Sequence, residues 1–361
     1  MAQRIEQDQI FLTSLSGQLR FHYLRGKGHL RDYLWNHFQW YNFPRWRKVA
    51  KFPLHVDIEI SSLCNMDCPM CYTRTDIFRN NVRRTLMDLS LFKKIVDECA
   101  RFNLFSIRLS LRGEAFMNPD LVKMLKYAKD SGIREVSSLT NGLNLDGALF
   151  ERLIDNGLDW LTLSIDGWGE KYESIRKPAK FQDILRKMRD FAELKRKRKS
   201  QKPVLRVQTI WPAIQEDPRY FYEMFKPYAD EIVSNPLIDF LREDTEIRYL
   251  KDFCCSYPWQ RLSIGADGTI LMCHCDEREE AVLGNAREDS LFDIWHGEGL
   301  NSIRRIHAEH KSCERLEPCK HCAYARELEE KCEVVIESRK VRVEKYAGRD
   351  ENIKIISGEK R

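Results

Sequence analysis

The chain has 361 residues, 43% of them hydrophobic, enough to bury a substantial core in one large domain or two modest ones. Its 60 Lys and Arg face 55 Asp and Glu, a net charge of +5, and that near balance argues against a dedicated nucleic-acid binder, which concentrates basic residues on one face. No apolar run approaches the roughly 18 residues of a membrane span, and no secretory signal pattern opens the chain, so a soluble, cytoplasmic protein is expected.

Residues 1–50 form an extension dense in aromatic and basic side chains, among them Tyr23, Tyr33, Trp35, Phe38, Trp40, Arg20, Arg31 and Arg45. The plain reading is a helix or two packed on the main domain. The alternative is contact with a membrane surface or a lipid-linked partner, because aromatic and cationic mixtures suit membrane interfaces. No spare strand is evident in this extension.

From residue 53 short β-rich runs alternate with amphipathic stretches. The runs are PLHVDIEI, LFSIRLSL, REVSSLT, LTLSI, VLRVQTIW and DEIVSNPLI. The stretches are Leu89–Phe102, Pro119–Ser131, Asp146–Asn156, Phe181–Lys199 and Pro218–Tyr228. Six such units predict parallel βαβ crossovers and an open, partial barrel rather than a closed eightfold one. The Lys195–Lys199 run reads as a solvated helix C-terminus. Beyond residue 240 the sequence turns Cys-, Gly- and turn-rich. Boundaries are therefore expected at 1–50, 51–240, 241–333 and 334–361, the last a peripheral tail with a frayed end.

Twelve cysteines are many for a reducing compartment, and their clustering suggests metal ligation. Cys64, Cys68 and Cys71 fall on one loop after the first strand. Three thiolates cannot complete a 4Fe–4S cluster, so one iron is left open. A zinc site would also want a fourth ligand, and the loop has no His. Cys99 stands alone on a helical pattern and reads as a buried core residue. The other eight cysteines lie between Cys254 and Cys332. There Asp267-Gly268 is a hairpin turn signal that would bring Cys255 and Cys273 together, and Cys319 with Cys322 could close a four-thiolate cage. A zinc ribbon is the alternative for such pairs.

The Cys64–Cys68–Cys71 spacing after the first strand of a βα series resembles the radical S-adenosylmethionine superfamily. The resemblance implies that the open iron chelates S-adenosylmethionine, whose reductive cleavage yields a 5′-deoxyadenosyl radical that abstracts substrate hydrogen. Arg112-Gly113-Glu114-Ala115 looks like that family's Gly-Gly-Glu-Pro segment, with Arg112 and Ala115 as departures. Thr140-Asn141-Gly142 resembles its ribose-side segment. Ser164 and Arg176 resemble the residues that hold the cofactor carboxylate, and Gln208 stands where the family often has a polar contact. Met70 replaces a frequent aromatic. These similarities cover roughly residues 52–235 and make Gly113, Glu114, Thr140, Asn141, Ser164, Arg176 and Gln208 the expected cofactor contacts.

Residues 254–322 resemble the SPASM and twitch auxiliary-cluster domains. The resemblance implies one auxiliary 4Fe–4S cluster on Cys255, Cys273, Cys319 and Cys322, acting as an electron relay. A second cluster on Cys275, Cys313 and Cys332 is the alternative, and Cys254 has no assigned part. The expected architecture is a partial (β/α)6 radical S-adenosylmethionine barrel with a small C-terminal Cys-rich SPASM/twitch-like domain. The expected activity is dehydrogenation or epimerisation of a small molecule or glycan, such as a sugar or cyclitol, with flavodoxin or ferredoxin as reductant. Maturation of a ribosomal peptide and a non-enzymatic electron carrier are the competing readings.

Overall fold

The computed structural model describes residues 9–244, 246–251, 253–309, 312–349 and 351. The N-terminal extension folds as strand β1 (Ile10–Phe11) and two helices, α1 (Leu15–Gly26) and α2 (Leu30–Arg45). Then come β2 (His55–Ile58), α3 (Asp76–Asn81), α4 (Leu89–Arg101), β3 (Ser106–Arg108), α5 (Leu121–Asp130), β4 (Glu135–Thr140), α6 (Gly147–Asp155) and β5 (Trp160–Ser164). The barrel region ends with α7 (Gly169–Ile175), α8 (Phe181–Lys197), β6 (Val204–Ile210), α9 (Trp211–Ile214), α10 (Pro218–Phe225) and β7 (Glu231–Asn235). The helices start where short polar caps stand. Asp88 accepts from the Leu91 amide and Asp146 from the Leu149 amide, each satisfying a donor the helix leaves open. The apolar face of α4 then buries Leu91, Phe92, Ile95, Val96 and the lone Cys99 against the sheet.

Strands β2 to β7 pair in sequence order and all in parallel, as the six alternating units predict. The sheet does not stop there. β8 (Arg261–Ile264) lies parallel to the outer side of β2, with His55 opposite Arg261 and Ile58 opposite Ile264. β9 (Thr269–Leu271) and β10 (Val282–Asn285) follow in antiparallel register, making ten strands in one sheet. The change in sequence texture near residue 240 thus falls inside a continuous sheet. Gly268 makes the turn between β8 and β9 at φ +101°, a conformation that other residues rarely adopt. At the other edge, β1 pairs antiparallel with β7, Ile10 opposite Ser234. A spare strand therefore does exist in the extension. Two residues are too few to show an alternating pattern, which hides it from sequence.

Helices α11 (Leu291–His296), α12 (Glu298–His307) and α13 (Glu317–Lys320) precede a hairpin of β11 (Leu328–Ile336) and β12 (Arg339–Tyr346). The boundary expected after residue 333 cuts through β11. The frayed end assigned to the tail lies, from residue 352, outside the described residues.

One buried ion pair joins these parts. Arg112, after β3, grips Glu59, just past β2, through two hydrogen bonds of 2.8 and 2.7 Å, and its third nitrogen reaches Glu279 at 2.8 Å. Glu59 also accepts from the Ala266 amide in the β8–β9 turn. Glu59 belongs to the barrel, while Glu279 and the Ala266 amide belong to the C-terminal region, so Arg112 helps hold the two together. Replacing Arg112 with Met strands Glu59 without its partner. The expected cost is about 3–5 kcal/mol, the usual penalty for an uncompensated buried charge. Denaturant titration of the full-length protein checks it, and a Glu59→Leu/Arg112→Met double variant should recover much of the loss.

Candidate active site

The loop carrying Cys64, Cys68 and Cys71 leaves the C-terminal end of β2, where chemistry gathers in βα barrels. It is held from below by close backbone contact. A Cβ on Gly113 would stand 2.5 Å from the Ser61 and Leu63 carbonyl oxygens and 2.6 Å from the Ser62 carbonyl carbon. All three are backbone atoms, so only glycine lets the β3 loop lie this close. The Glu114 amide then donates to the Leu63 carbonyl at 2.7 Å.

The buried Glu114 carboxylate ties the next loop to the same place. It accepts from the Thr140 hydroxyl and the Asn141 amide, each at 2.7 Å, and from the Phe116 amide at 3.1 Å. Burial pushes its pKa up, against the pull of these donors. Asn141 is thereby set so that its side-chain nitrogen donates to Asn65 at 2.8 Å and lies 4.0 Å from the Cys64 sulfur. From β5 and α7, Arg176 pairs with the buried Asp166 at 2.5 Å and turns its Nη1 to within 3.9 Å of the Cys68 sulfur. Burial pushes the Cys68 thiol up to about 11, although Arg176 opposes the shift. Ser164 and Gln208 are register partners at the ends of β5 and β6. The expected contacts Gly113, Glu114, Thr140 and Asn141 thus adjoin the cysteine loop, as does Arg176, while Ser164 and Gln208 sit one and two strands further along. The donor set fits an iron–sulfur cluster: three thiols on one loop, with side-chain donors near two of their sulfurs.

The second cysteine set surrounds a small cavity. Cys255, Cys273, Cys319 and Cys322 all line it, joined by Cys275 and Cys313. Burial pushes the Cys255 and Cys319 thiols up. Hydrogen bonding with Cys275, reinforced by His274, draws Cys273 down to about 6. Soft thiols in a cage otherwise lined by Phe253, Pro258, Met272, Pro318, Asp276 and His307 again fit iron–sulfur ligation. His307, which nothing in the sequence flagged, places Nε2 3.6 Å from the Cys319 sulfur. Cys332, on β11, is not among the lining residues.

Between the two sets runs a cleft of about 420 Å³ lined by polar and apolar groups alike. Tyr72, beside Cys71, lines it together with Cys275, Cys322, Gln208, His274 and His321. Two of its cations share one buried anion. Asp57 on β2 takes Arg108 at 2.9 Å and Arg261 at 3.1 Å, and these hold its carboxyl well below the usual range although burial alone would raise it. Asp57 reads in the sequence as an interruption of an apolar run, and its partners stand far away along the chain, so this network was not legible.

A parallel partial barrel with one cysteine loop at its strand ends and a second cysteine cage beside it defines a class of iron–sulfur enzymes. Comparison with known proteins agrees. Residues 58–214 match the model of the radical SAM superfamily, and residues 254–323 match the SPASM iron–sulfur cluster-binding domain. The chain belongs to the radical SAM superfamily and carries a SPASM domain. Its cofactors are S-adenosylmethionine, the radical SAM 4Fe–4S cluster and the auxiliary iron–sulfur ligation of the second region.

Among curated relatives, a probable GTP 3′,8-cyclase of Methanococcus maripaludis is 31% identical over 120 residues, 33% of this chain and 37% of the relative. A PqqA peptide cyclase of Bradyrhizobium diazoefficiens is 29% identical over 32% of this chain and 29% of its own. The chain thus spans well under half the length of these relatives. Among solved structures, BtrN in complex with AdoMet and 2-DOIA aligns with a TM-score of 0.54 at 16% identity, over 76% of this chain and 94% of BtrN. Streptococcus suis SuiB bound to precursor peptide SuiA aligns at 0.55 and 14% identity, over 82% and 76%. At such identities the likeness is one of fold. Among the described residues no helix is long and apolar enough to cross a membrane.

The close approach at Gly113 yields a direct test. Anaerobically reconstituted wild type should hold about eight iron and eight sulfide, from two cubane clusters. Gly113→Ala should displace the first cysteine loop and lower the iron content to about four. Ala115→Gly, in the same segment, should leave it unchanged in a colorimetric iron assay.

Proposed function

We propose that this enzyme dehydrogenates or epimerises a small polar molecule, such as a sugar or cyclitol, held in the cleft between the two cysteine sets. In this reading Cys64, Cys68 and Cys71 hold the first 4Fe–4S cluster. Gly113, Glu114, Thr140, Asn141, Ser164, Arg176 and Gln208 hold S-adenosylmethionine, and Cys255, Cys273, Cys319 and Cys322 hold one auxiliary 4Fe–4S cluster. When bound, the first cluster and S-adenosylmethionine supply a 5′-deoxyadenosyl radical.

The cleft carries this reading. About 420 Å³ lies within the range of small-ligand sites, and its wall is rich in groups that suit hydroxyls. Asn235 and Gln208 offer amides, while His274, His321 and the two arginines on Asp57 offer donors. Because Asp57 neutralises one of those two cations and Asp239 and Glu277 also line the cleft, the wall favours a neutral polar ligand over a polyanion. Cysteine sets of this kind suit a reducing cytoplasm, where a flavodoxin or ferredoxin supplies electrons.

Peptide maturation is the second reading. A peptide-modifying relative and the presence of β1 on the sheet edge favour it, since edge strands are where extended peptides pair. Deuterium transfer separates the two. Label should appear in 5′-deoxyadenosine from carbon-deuterated sugars or cyclitols and not from short deuterated peptides, and label arriving only from a peptide overturns the first choice.

The auxiliary cage makes a further demand. Cys319→Ser should still give some 5′-deoxyadenosine with a strong reductant while oxidised product falls sharply. Equal product from wild type and variant in a single-turnover assay would reduce the second cluster to a structural part.

A further inference from the structure

Eight of the twelve exposed large hydrophobic side chains among the described residues fall on α1, α2 or the turn just after them. They are not scattered. Leu15, Leu19 and Tyr23 recur every fourth residue on α1, and Leu30, Leu34 and Phe38 do the same on α2. Residues four apart lie on one face of a helix, so each set forms a stripe. Trp35 stacks on Phe38 at 5.4 Å, and Trp46 packs edge-on against Phe38 at 5.7 Å. These eight side chains are between 43% and 68% exposed.

The opposite faces of both helices are occupied. Phe21 and Leu24 of α1 pack on Val204 and Trp160, at the starts of β6 and β5. Arg25 pairs with Glu135, at the start of β4, at 2.9 Å. On α2, Tyr33 and Phe43 are buried, and Asn36 donates to the Leu54 carbonyl just before β2. The two antiparallel helices therefore lie under the N-terminal ends of the strands, and their apolar stripes both face away from the barrel. Monomeric surfaces rarely leave so many large apolar groups together without a partner.

Charge identifies the partner. Arg20, Lys27, Arg31, Arg45, Arg47 and Lys48 are all exposed around the stripes. The acid between them, Asp32, is engaged with Arg134 of the barrel at 2.8 Å. Leu, Trp and Phe on one face, rimmed by Arg and Lys, form the pattern of helices that lie in the interface of an anionic bilayer. We propose that the α1–α2 hairpin docks this enzyme flat on an anionic lipid surface. Docked this way, the strands stand with their N-terminal ends toward the bilayer and the Cys64–Cys71 loop at the far end.

Flotation of the anaerobic, cluster-loaded full chain tests the assignment. Vesicles of phosphatidylcholine alone and of phosphatidylcholine with 30% phosphatidylglycerol serve as probes (~30% is an ordinary anionic fraction). The protein should float with the anionic vesicles, weakly or not at all with the neutral ones, and less at high salt. Arg31→Glu/Arg45→Glu should lower partitioning by about tenfold or more, and Trp35→Ser/Phe38→Ser should lower it on the same scale. Because all four side chains point to solvent, iron content and 5′-deoxyadenosine formation should match wild type, which separates lost docking from lost folding. No flotation with anionic vesicles overturns the proposal. So does equal partitioning of wild type and variants, or a stable dimer by sedimentation velocity that Trp35→Ser/Phe38→Ser dissociates.

Discussion

Everything in this molecule converges on the buried contact between Glu59 and Arg112. Glu59 closes β2 and opens the cysteine loop, while Arg112 immediately precedes the glycine that supports that loop. Through its remaining nitrogen Arg112 reaches Glu279, and through its shared carboxylate it meets the amide of Ala266. An arginine fork can satisfy two carboxylates at fixed angles in a way that lysine cannot. One side chain thus fixes the position of the first cysteine set relative to the region that bears the second.

The same economy shows in the cleft. Asp57, Arg108 and Arg261 come from β2, β3 and β8, three strands adjacent in the sheet. Their mutual pairing fixes two cationic groups at the wall and gives the buried Asp57 carboxylate its partners. Glu114 plays the corresponding part for the neutral polar groups, since its two oxygens set Thr140 and Asn141 at once. In both places a single buried acid positions two groups at once.

Much of this was readable in the residues. The six alternating units predicted the parallel strands because each unit is long, periodic and bounded by turn chemistry. The cysteine spacings and the Asp267-Gly268 turn pointed to Cys255, Cys273, Cys319 and Cys322, and all four line one cavity, though Cys275 and Cys313 line it as well. What escaped depends on pairing between distant segments. The addition of β8 to β2 cannot be seen in either strand alone. Arg112 looked like a departure from a family segment and proved to be the tie between regions. His307 reaches the second cavity from the end of α12 with no spacing to announce it, while Cys275 and Cys313, expected only in an alternative second cluster, line the same cavity as the four expected thiols. The N-terminal strand β1 is too short for any pattern, and its place is set by the free edge of β7.

The sheet order carries a consequence in time. β2 ends at Ile58, but the strand that covers its outer side starts at Arg261. At ribosomal rates of roughly 5–20 residues per second, about ten to forty seconds separate the two. Throughout that interval the nascent chain presents an unpaired β2 edge, the kind of template that invites wrong partners. The first three thiols are made at the start of that interval, beside that open edge, while of the second set only Cys255 is made before it ends. Synthesis itself thus imposes an order in which the two cysteine sets become available.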